Sequence, residues 1–162
     1  MKITHLVLDV DGVLNTGHFF YDAQGKAFKA FGPHDKDGLK IADRYDVQIM
    51  FITADVTGWK ITHARIVKDW GFKDTQLQLV SVEDRMEWFQ DNYNLNTTAY
   101  IADGYHDAPI LRAVKLGIAP KSARKEAIAA ADYVTDSPAG SGAVLDACLF
   151  VEAMINDRPF SV

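Results

Sequence analysis

The sequence of 162 residues is poor in cysteine and in long apolar runs. Its single cysteine, Cys148, excludes a disulfide within the chain, and the apolar pattern "AVLDACLFVEAM" predicts a small core residue there, not a nucleophile or metal ligand. No stretch approaches the roughly 20 apolar residues of a membrane span, and Asp9 interrupts the apolar run near the amino terminus that a signal peptide would need. These absences predict a cytoplasmic protein without a membrane partner.

Positive charge is also scarce, because 17 Lys and Arg residues stand against 22 Asp and Glu residues, for a formal net charge of −5. No basic run is long enough to follow a phosphate backbone, so nucleic acid is not an expected partner. The hydrophobic content of 48% is sufficient for one core. With no linker or internal repeat in view, we expect a single domain over residues 1–162.

Strand-like runs alternate with segments of helical period along the whole chain. This order favours a three-layer α/β fold, a Rossmann-like parallel sheet with helices on both faces. The first strand is expected at about residues 4–9. The stretch "TGHFFYDAQGKAFKAF", residues 16–31, predicts a β-hairpin inserted after that strand, with "DAQG" as its turn. The other strands are expected at 47–53, 75–80, 97–103, 117–120 and 132–135, and the helices at about 37–44, 58–72, 82–93, 107–116, 122–131 and 142–156.

Polar side chains stand where three of these strands end. Asp9 and Asp11 close "VLDVD", Thr53 closes "MFIT", and Asp103 closes "AYIAD". In open parallel sheets, ligands bind outside the carboxyl ends of the strands. We therefore expect these side chains to converge on one crevice, although the strands are far apart in sequence.

Crowded carboxylates repel one another, so the pKa values of Asp9, Asp11, Asp103 and Asp107 should rise unless a cation is present. Mg²⁺ prefers such oxygen ligands and often binds one or two carboxylates together with a substrate phosphate. A carboxylate can also attack phosphorus and form an aspartyl phosphate. With Arg85 as a further cation, the set is suited to phosphoryl transfer.

Each of these features also has an ordinary structural explanation. A threonine such as Thr53 is typical of a β-strand or a helix cap, and "DGYHD" is equally typical of a capping segment. Arg85 could form an exposed ion pair with Glu83 or Asp84. It is the joint placement at strand ends that favours a site.

The order DxD, Thr, Arg and a late acidic pair resembles the motifs of the haloacid dehalogenase (HAD) superfamily of aspartyl phosphatases. The stretches "LVLDVDGVLNTGHFFYDAQGKAFKAF", "DKDGLKIA" and "ADYVTDSPAGSGAVLDAC" resemble its small capless branch. That branch acts on phosphates of 3-deoxy-2-ulosonic acids, including 3-deoxy-manno-octulosonate (KDO) 8-phosphate and the 9-phosphates of KDN and sialic acid. The resemblance implies an Mg²⁺-dependent phosphatase of a sugar-acid phosphate, with no large cap domain.

The resemblance also implies a role for each residue that matches a motif. Asp9 would be the nucleophile and a metal ligand, and Asp11 the general acid and base, its backbone carbonyl also binding the metal. Thr53 and Ala54 would bind phosphoryl oxygens, Arg85 would stand where the family usually has Lys, Asp103 would be the third protein ligand of Mg²⁺, and Asp107 would support the site.

Members of this branch resemble one another in forming homotetramers whose hairpins meet at the centre. The aromatic hairpin here suits such an interface, because on a monomer it would be an exposed apolar patch; its aromatic residues are Phe19, Phe20, Tyr21, Phe28 and Phe31. The alternative is a hairpin folded onto its own domain.

Two rival functions follow from the same motifs. One is a catalytically weak HAD-fold binding module that assists a cytidylyltransferase of sugar-acid activation. The other is a receiver-like signalling domain, which the DxDG order disfavours because receivers carry their acceptor aspartate on a later strand.

Three segments depart from the family pattern. "TAD", residues 53–55, replaces "TGR" or "TGE", and its acidic Asp55 is closer to the nine-carbon type than to the KDO type. "ADGYHD" replaces "GDDxxD", and "AGSGAVLD" loses the family Arg at Leu145 and a Gly at Ala139. These changes leave the chemical residues in place and open the question of substrate, for which His34, Lys36, Lys40 and Lys60 are candidate compensating cations.

Overall fold

Six parallel strands form the central sheet of the protein, whose structure, a computed structural model, describes residues 1–160. The strands are β1 (His5–Asp9), β4 (Gln48–Thr53), β5 (Leu77–Leu79), β6 (Thr98–Ile101), β7 (Leu116–Ala119) and β8 (Tyr133–Val134), and the separate antiparallel hairpin consists of β2 (Asn15–Asp22) and β3 (Gly25–Phe31). Their spatial order is β5-β4-β1-β6-β7-β8. The chain leaves β1 toward one edge of the sheet and later returns to its other side. The carboxyl end of β1 therefore lies at a topological switch point, where open α/β sheets bind ligands.

Helices cover both faces of this sheet, as the alternating pattern predicts. They are α1 (Asp35–Arg44), α2 (Trp59–His63), which continues as a π-helical segment (Ala64–Asp69), α3 (Arg85–Asn92), α4 (Ala108–Ala113), α5 (Lys125–Ile128) and α6 (Ala143–Ile155). Every predicted strand and helix is present in the predicted order, and the ends differ by up to about three residues, the usual uncertainty of such boundaries. Within residues 1–160, no helix has the length and apolar character needed to cross a bilayer.

Side chains of β1 alternate between two separate hydrophobic cores. Leu6 and Leu8 belong to the core beneath α1 and α6, whereas Val7 belongs to the core on the opposite face. All three are fully buried, as expected for a parallel strand covered on both faces. Cys148 lies in the first of these cores with no exposed surface, which confirms its prediction as a core residue.

In the hairpin an aromatic residue is exposed and a lysine is buried, which is the reverse of the usual pattern. Phe28 is 68% exposed, while the adjacent Lys29 is buried. Lysine is almost never fully buried unless it is paired, so the inward position of Lys29 points to acidic partners beneath the hairpin. The outer face is aromatic, with Phe19, Phe20 and Tyr21 also exposed. One face of the hairpin thus folds onto its own domain and the other remains open.

Candidate active site

The predicted convergence at the strand ends is found. Asp9 is the last residue of β1 and Thr53 the last of β4, and the two strands are paired in parallel. Asp103 follows β6, the neighbour of β1 on its other side. Asp11 lies just beyond Asp9, so all four side chains share the carboxyl edge of the sheet.

Asp9 is buried within this edge, with only 8% of its surface exposed. Its Oδ1 accepts a hydrogen bond from the Val10 N–H at 2.9 Å, and its Oδ2 accepts one from Arg85 Nη1 at 3.2 Å. Burial raises the pKa of Asp9 to about 8, and nearby carboxylates add to that effect while Arg85 opposes it. The site therefore holds more negative charge than one guanidinium offsets.

Arg85 begins α3 and is buried, so it is not the exposed ion pair with Glu83 or Asp84 that the sequence left open. Its Nη1 also donates to Asp107 Oδ1 at 2.7 Å and to the Tyr100 hydroxyl oxygen at 3.2 Å. The Tyr100 O–H donates in turn to Asp107 Oδ1 at 2.6 Å. This network fixes the position of the guanidinium beside Asp9.

Three carboxylates form a cluster that fits a small divalent cation. Asp9, Asp103 and Asp107 each offer one oxygen, and these atoms all lie within 4.8 Å of one another. Burial, assisted by the charge of Asp107, raises the pKa of Asp103 to about 6. Gly12 keeps this space open: its φ is +83°, and a Cβ there would lie 2.1 Å from Asp103 Oδ2. An all-oxygen donor set of this kind suits Mg²⁺.

The Asp11 side chain points away from that cluster, toward the hairpin. Its Oδ1 accepts from Asn15 Nδ2 at 2.8 Å and its Oδ2 from Thr53 Oγ1 at 3.0 Å. Lys29 Nζ lies 2.8 Å from Oδ1 and 3.0 Å from Oδ2. Thr53 Oγ1 also accepts the Asp55 N–H at 3.0 Å. The structure thus brings the predicted residues together but places the Asp11 carboxylate in an ion pair.

Lys26 and Lys29 are site residues that the sequence analysis missed. Both contact Asp55, with Nζ–Oδ distances of 2.6 and 2.8 Å. Burial alone would raise the pKa of Asp55, but hydrogen bonds from the two lysines and from the Gly58 N–H hold that pKa well below its usual range. The one available signal was two lysines set among the aromatic residues of a hairpin strand. The candidate cations named instead lie elsewhere, His34, Lys40 and Lys60 being exposed and Lys36 half-buried.

A cavity of about 270 Å³ opens onto these groups. Ala54, an exposed residue, forms part of its wall, and the hairpin supplies another part. The complete lining is Asp9, Asp11, Phe19, Lys26, Ala54, Asp55, Val82 and Arg85. A larger cavity of about 730 Å³ lies beside His5 and Gln48, where β1 and β4 begin, and Asp9, Asp11 and Asp103 are absent from its lining. The chemistry of the smaller cavity makes it the candidate active site.

Comparison with known proteins finds the family that the motifs of this chain resemble. The family described as haloacid dehalogenase-like hydrolase matches residues 85–147. The chain is 31% identical over 155 residues to 3-deoxy-D-manno-octulosonate 8-phosphate phosphatase KdsC of Escherichia coli K12, covering 91% of this chain and 78% of that protein.

Two solved structures share the fold. The cobalt-bound form of the deoxy-D-mannose-octulosonate 8-phosphate phosphatase from Haemophilus influenzae is 28% identical, with a TM-score of 0.76 over 96% of this chain and 88% of the other. The 3-deoxy-D-manno-octulosonate 8-phosphate phosphatase from Yersinia pestis is 27% identical, with a TM-score of 0.78 over 96% and 83%. With its six-stranded parallel sheet, its hairpin after the first strand and these relatives, the chain belongs to the haloacid dehalogenase-like hydrolases and is a phosphoric monoester hydrolase.

Proposed function

We propose that residues 1–162 form one phosphatase domain that hydrolyses the phosphate monoester of a 3-deoxy-2-ulosonic or nonulosonic acid. The observation that carries this proposal is Asp9, which lies at the switch point of the sheet, beside Arg85, and lines the cavity. The substrate class is supported by the KDO 8-phosphate phosphatase of E. coli, which matches this chain over 91% of its length.

In this mechanism Asp9 attacks the phosphorus atom and forms an aspartyl phosphate, while the bond from phosphorus to the sugar oxygen breaks. Both oxygens of Asp11 accept hydrogen bonds, from Asn15, Thr53 and Lys29, so Asp11 acts as the acid only after it takes up a proton from solvent. It then gives that proton to the leaving sugar oxygen and takes one back from the water that attacks the intermediate, which is the two-way use of a positioned acid. Hydrolysis releases phosphate and restores Asp9. Arg85 and Ala54 bind the phosphoryl oxygens, and the Thr53 hydroxyl does so by turning its hydrogen from Asp11 to the phosphate.

We assign Mg²⁺ to the oxygen ligands at the carboxyl edge of the sheet. Asp9, Asp103 and the backbone carbonyl of Asp11 would hold the ion, and Asp107 would support it. When bound, it would neutralise charge on the phosphoryl oxygens. The raised pKa values of Asp9 and Asp103 are consistent with a cation there, and the relative from H. influenzae has a cobalt-bound form.

The test uses the purified protein with p-nitrophenyl phosphate, KDO 8-phosphate and KDN 9-phosphate, in Mg²⁺ or in EDTA. We expect phosphate release that EDTA abolishes and added Mg²⁺ restores. Asp9→Asn should lose the activity, whereas Asp91→Asn, the same change at an exposed position of α3, should retain it. Release that persists in Asp9→Asn would refute the nucleophile. No release by the wild type from any substrate would favour the binding module instead.

The same proposal covers the oligomeric state of the protein and its place in the cell. The open aromatic face of the hairpin, including Phe20, Tyr21 and Phe28, is suited to the centre of a homotetramer, because an exposed apolar patch typically marks an interface. Light scattering at micromolar concentration tests this, and a monomer there would contradict it. We expect the enzyme to act in the cytoplasm.

A further inference from the structure

Two lysines of β3 enter the active site from the hairpin, and they share one acidic partner. The Nζ atoms of Lys26 and Lys29 both contact Asp55. The side chain of Lys26 is 4% exposed and that of Lys29 is fully buried. Burial of two ammonium groups is costly unless hydrogen bonds satisfy them, so the number of partners that each lysine has decides what it can do.

Lys29 is fully enclosed by its partners. Its Nζ contacts Asp11, Asp55 Oδ2 and Thr62 Oγ1, the last at 2.9 Å. Asp11 Oδ2 and Thr62 Oγ1 accept hydrogen bonds from Nζ, and Asp55 Oδ2 is an ion-pair contact at 2.8 Å. Lys29 does not line the cavity, so its position is structural: it holds Asp11 against the hairpin.

Lys26 is different, because it lines the cavity together with Asp9 and Arg85. Among the contacts within residues 1–160, Asp55 is its one oxygen partner. Its Nζ also lies 3.7 Å from the centre of the Phe19 ring, a favourable position for a cation. Asp55 and Phe19 thus orient the ammonium group and leave it a donor that can bind a ligand.

The substrate proposed above carries two anionic groups, a phosphate and a carboxylate. Asp9 and Arg85 are placed for the phosphate, so the carboxylate needs a cation in another part of the cavity. Asp55 by itself would repel a carboxylate, but its charge is matched by Lys26 and Lys29. Lys26 is the cation of that group that lines the cavity.

We propose that Lys26 binds the carboxylate of the sugar-acid substrate and determines the preference for acidic over neutral sugar phosphates. Asp55 is its positioning partner. This inference rests on the proposed function, from which it takes the substrate class. It assigns to the hairpin of the same chain a part in substrate recognition that is separate from subunit assembly.

The experiment measures kcat/KM for KDO 8-phosphate and for arabinose 5-phosphate, a sugar phosphate without a carboxylate, and takes their ratio. A charge-assisted hydrogen bond contributes enough for its loss to lower this ratio about tenfold to a hundredfold in Lys26→Gln. Lys26→Arg keeps the charge and should keep most of the preference. Lys40→Gln removes the same charge from an exposed pair with Asp37 and should leave the ratio within about twofold, because exposed pairs contribute little.

Thermal melting confirms that each variant is folded, and Lys26→Met, which retains the apolar stem, replaces Lys26→Gln if the latter is not. An unchanged ratio in a folded Lys26 variant would overturn the inference and leave the phosphatase function intact. A wild type that hydrolyses phosphate esters without preferring the sugar acid would overturn the proposed substrate class itself, and the inference with it. The wild-type measurement therefore separates the two failures.

Discussion

Replacement of Lys29 by methionine tests how the hairpin is held to the catalytic edge of the sheet. Methionine keeps an unbranched apolar side chain but removes the ammonium group, which contacts Asp11, Asp55 and Thr62. Removing one partner of a buried ion pair typically costs about 3 to 5 kcal/mol. Here both acids keep other donors, Asn15 for Asp11 and Lys26 for Asp55. We therefore expect the lower end of the range, about 3 kcal/mol.

For a chain of this length, such a loss lowers the melting temperature by about 6 to 12 °C. Differential scanning calorimetry in EDTA, which removes any contribution from metal binding, measures it directly. Lys40→Met is the matched control: its ammonium group pairs with Asp37 at 2.9 Å on the surface, and such pairs contribute about 0 to 1 kcal/mol.

Adding Asp11→Asn to Lys29→Met should recover part of the loss, because Lys29 is the ion-pair partner of Asp11 and the second change removes the carboxylate charge left without it. A shift for Lys29→Met no larger than that for Lys40→Met would refute the argument that the buried ion pairs hold the hairpin in place.

Three further results are expected from the geometry. Gly12→Ala forces a Cβ into Asp103 at a backbone φ of +83°. We therefore expect the Mg²⁺ concentration that gives half-maximal activity to rise at least about tenfold, as measured by metal titration. Tyr100→Phe removes the 2.6 Å hydrogen bond to Asp107 and should lower kcat for p-nitrophenyl phosphate while the far-ultraviolet circular dichroism stays unchanged; an unaltered kcat would contradict its positioning role. Burial raises the pKa of Asp35 from 3.8 to about 7; since the folded state then binds this proton more tightly, its contribution to stability is present below pH 4 and is lost as the pH rises to 7. The stability difference between the wild type and Asp35→Asn should change with pH across that window, and a constant difference in urea unfolding would refute it.

The fold could be predicted well from local patterns. Strand-like runs such as β1 alternate with segments of helical period along the chain. Parallel strands need crossover connections, which are usually helices, so this alternation predicts a parallel sheet. The short helix α5 (Lys125–Ile128) shows the limit of such patterns. The predicted segment 122–131 reads as a longer helix, but its ends have turn or irregular structure, and helix ends of this kind are decided by tertiary packing more than by propensity.

The candidate site could be predicted only in part, and the reason is the range of the interactions. Asp9 and Asp103 follow buried strands, so their placement at one edge depends on topology alone. The partners of Arg85 could not be chosen from its neighbours in sequence: Glu83 and Asp84 are two and one residues away, yet the buried guanidinium pairs with Asp9 and Asp107.

The sequence by itself determined the alternating α/β order and the set of acids at the ends of the strands, because strand period and strand-end chemistry are local properties of the chain. The tertiary structure decided which charges meet. The hairpin folds Lys26 and Lys29 over Asp11 and Asp55, contacts 18 or more residues apart that no local pattern encodes. Phe28 is exposed and Lys29 buried, the opposite of what hydropathy favours, because the tertiary fold gives the Lys29 ammonium group two acidic partners, Asp11 and Asp55.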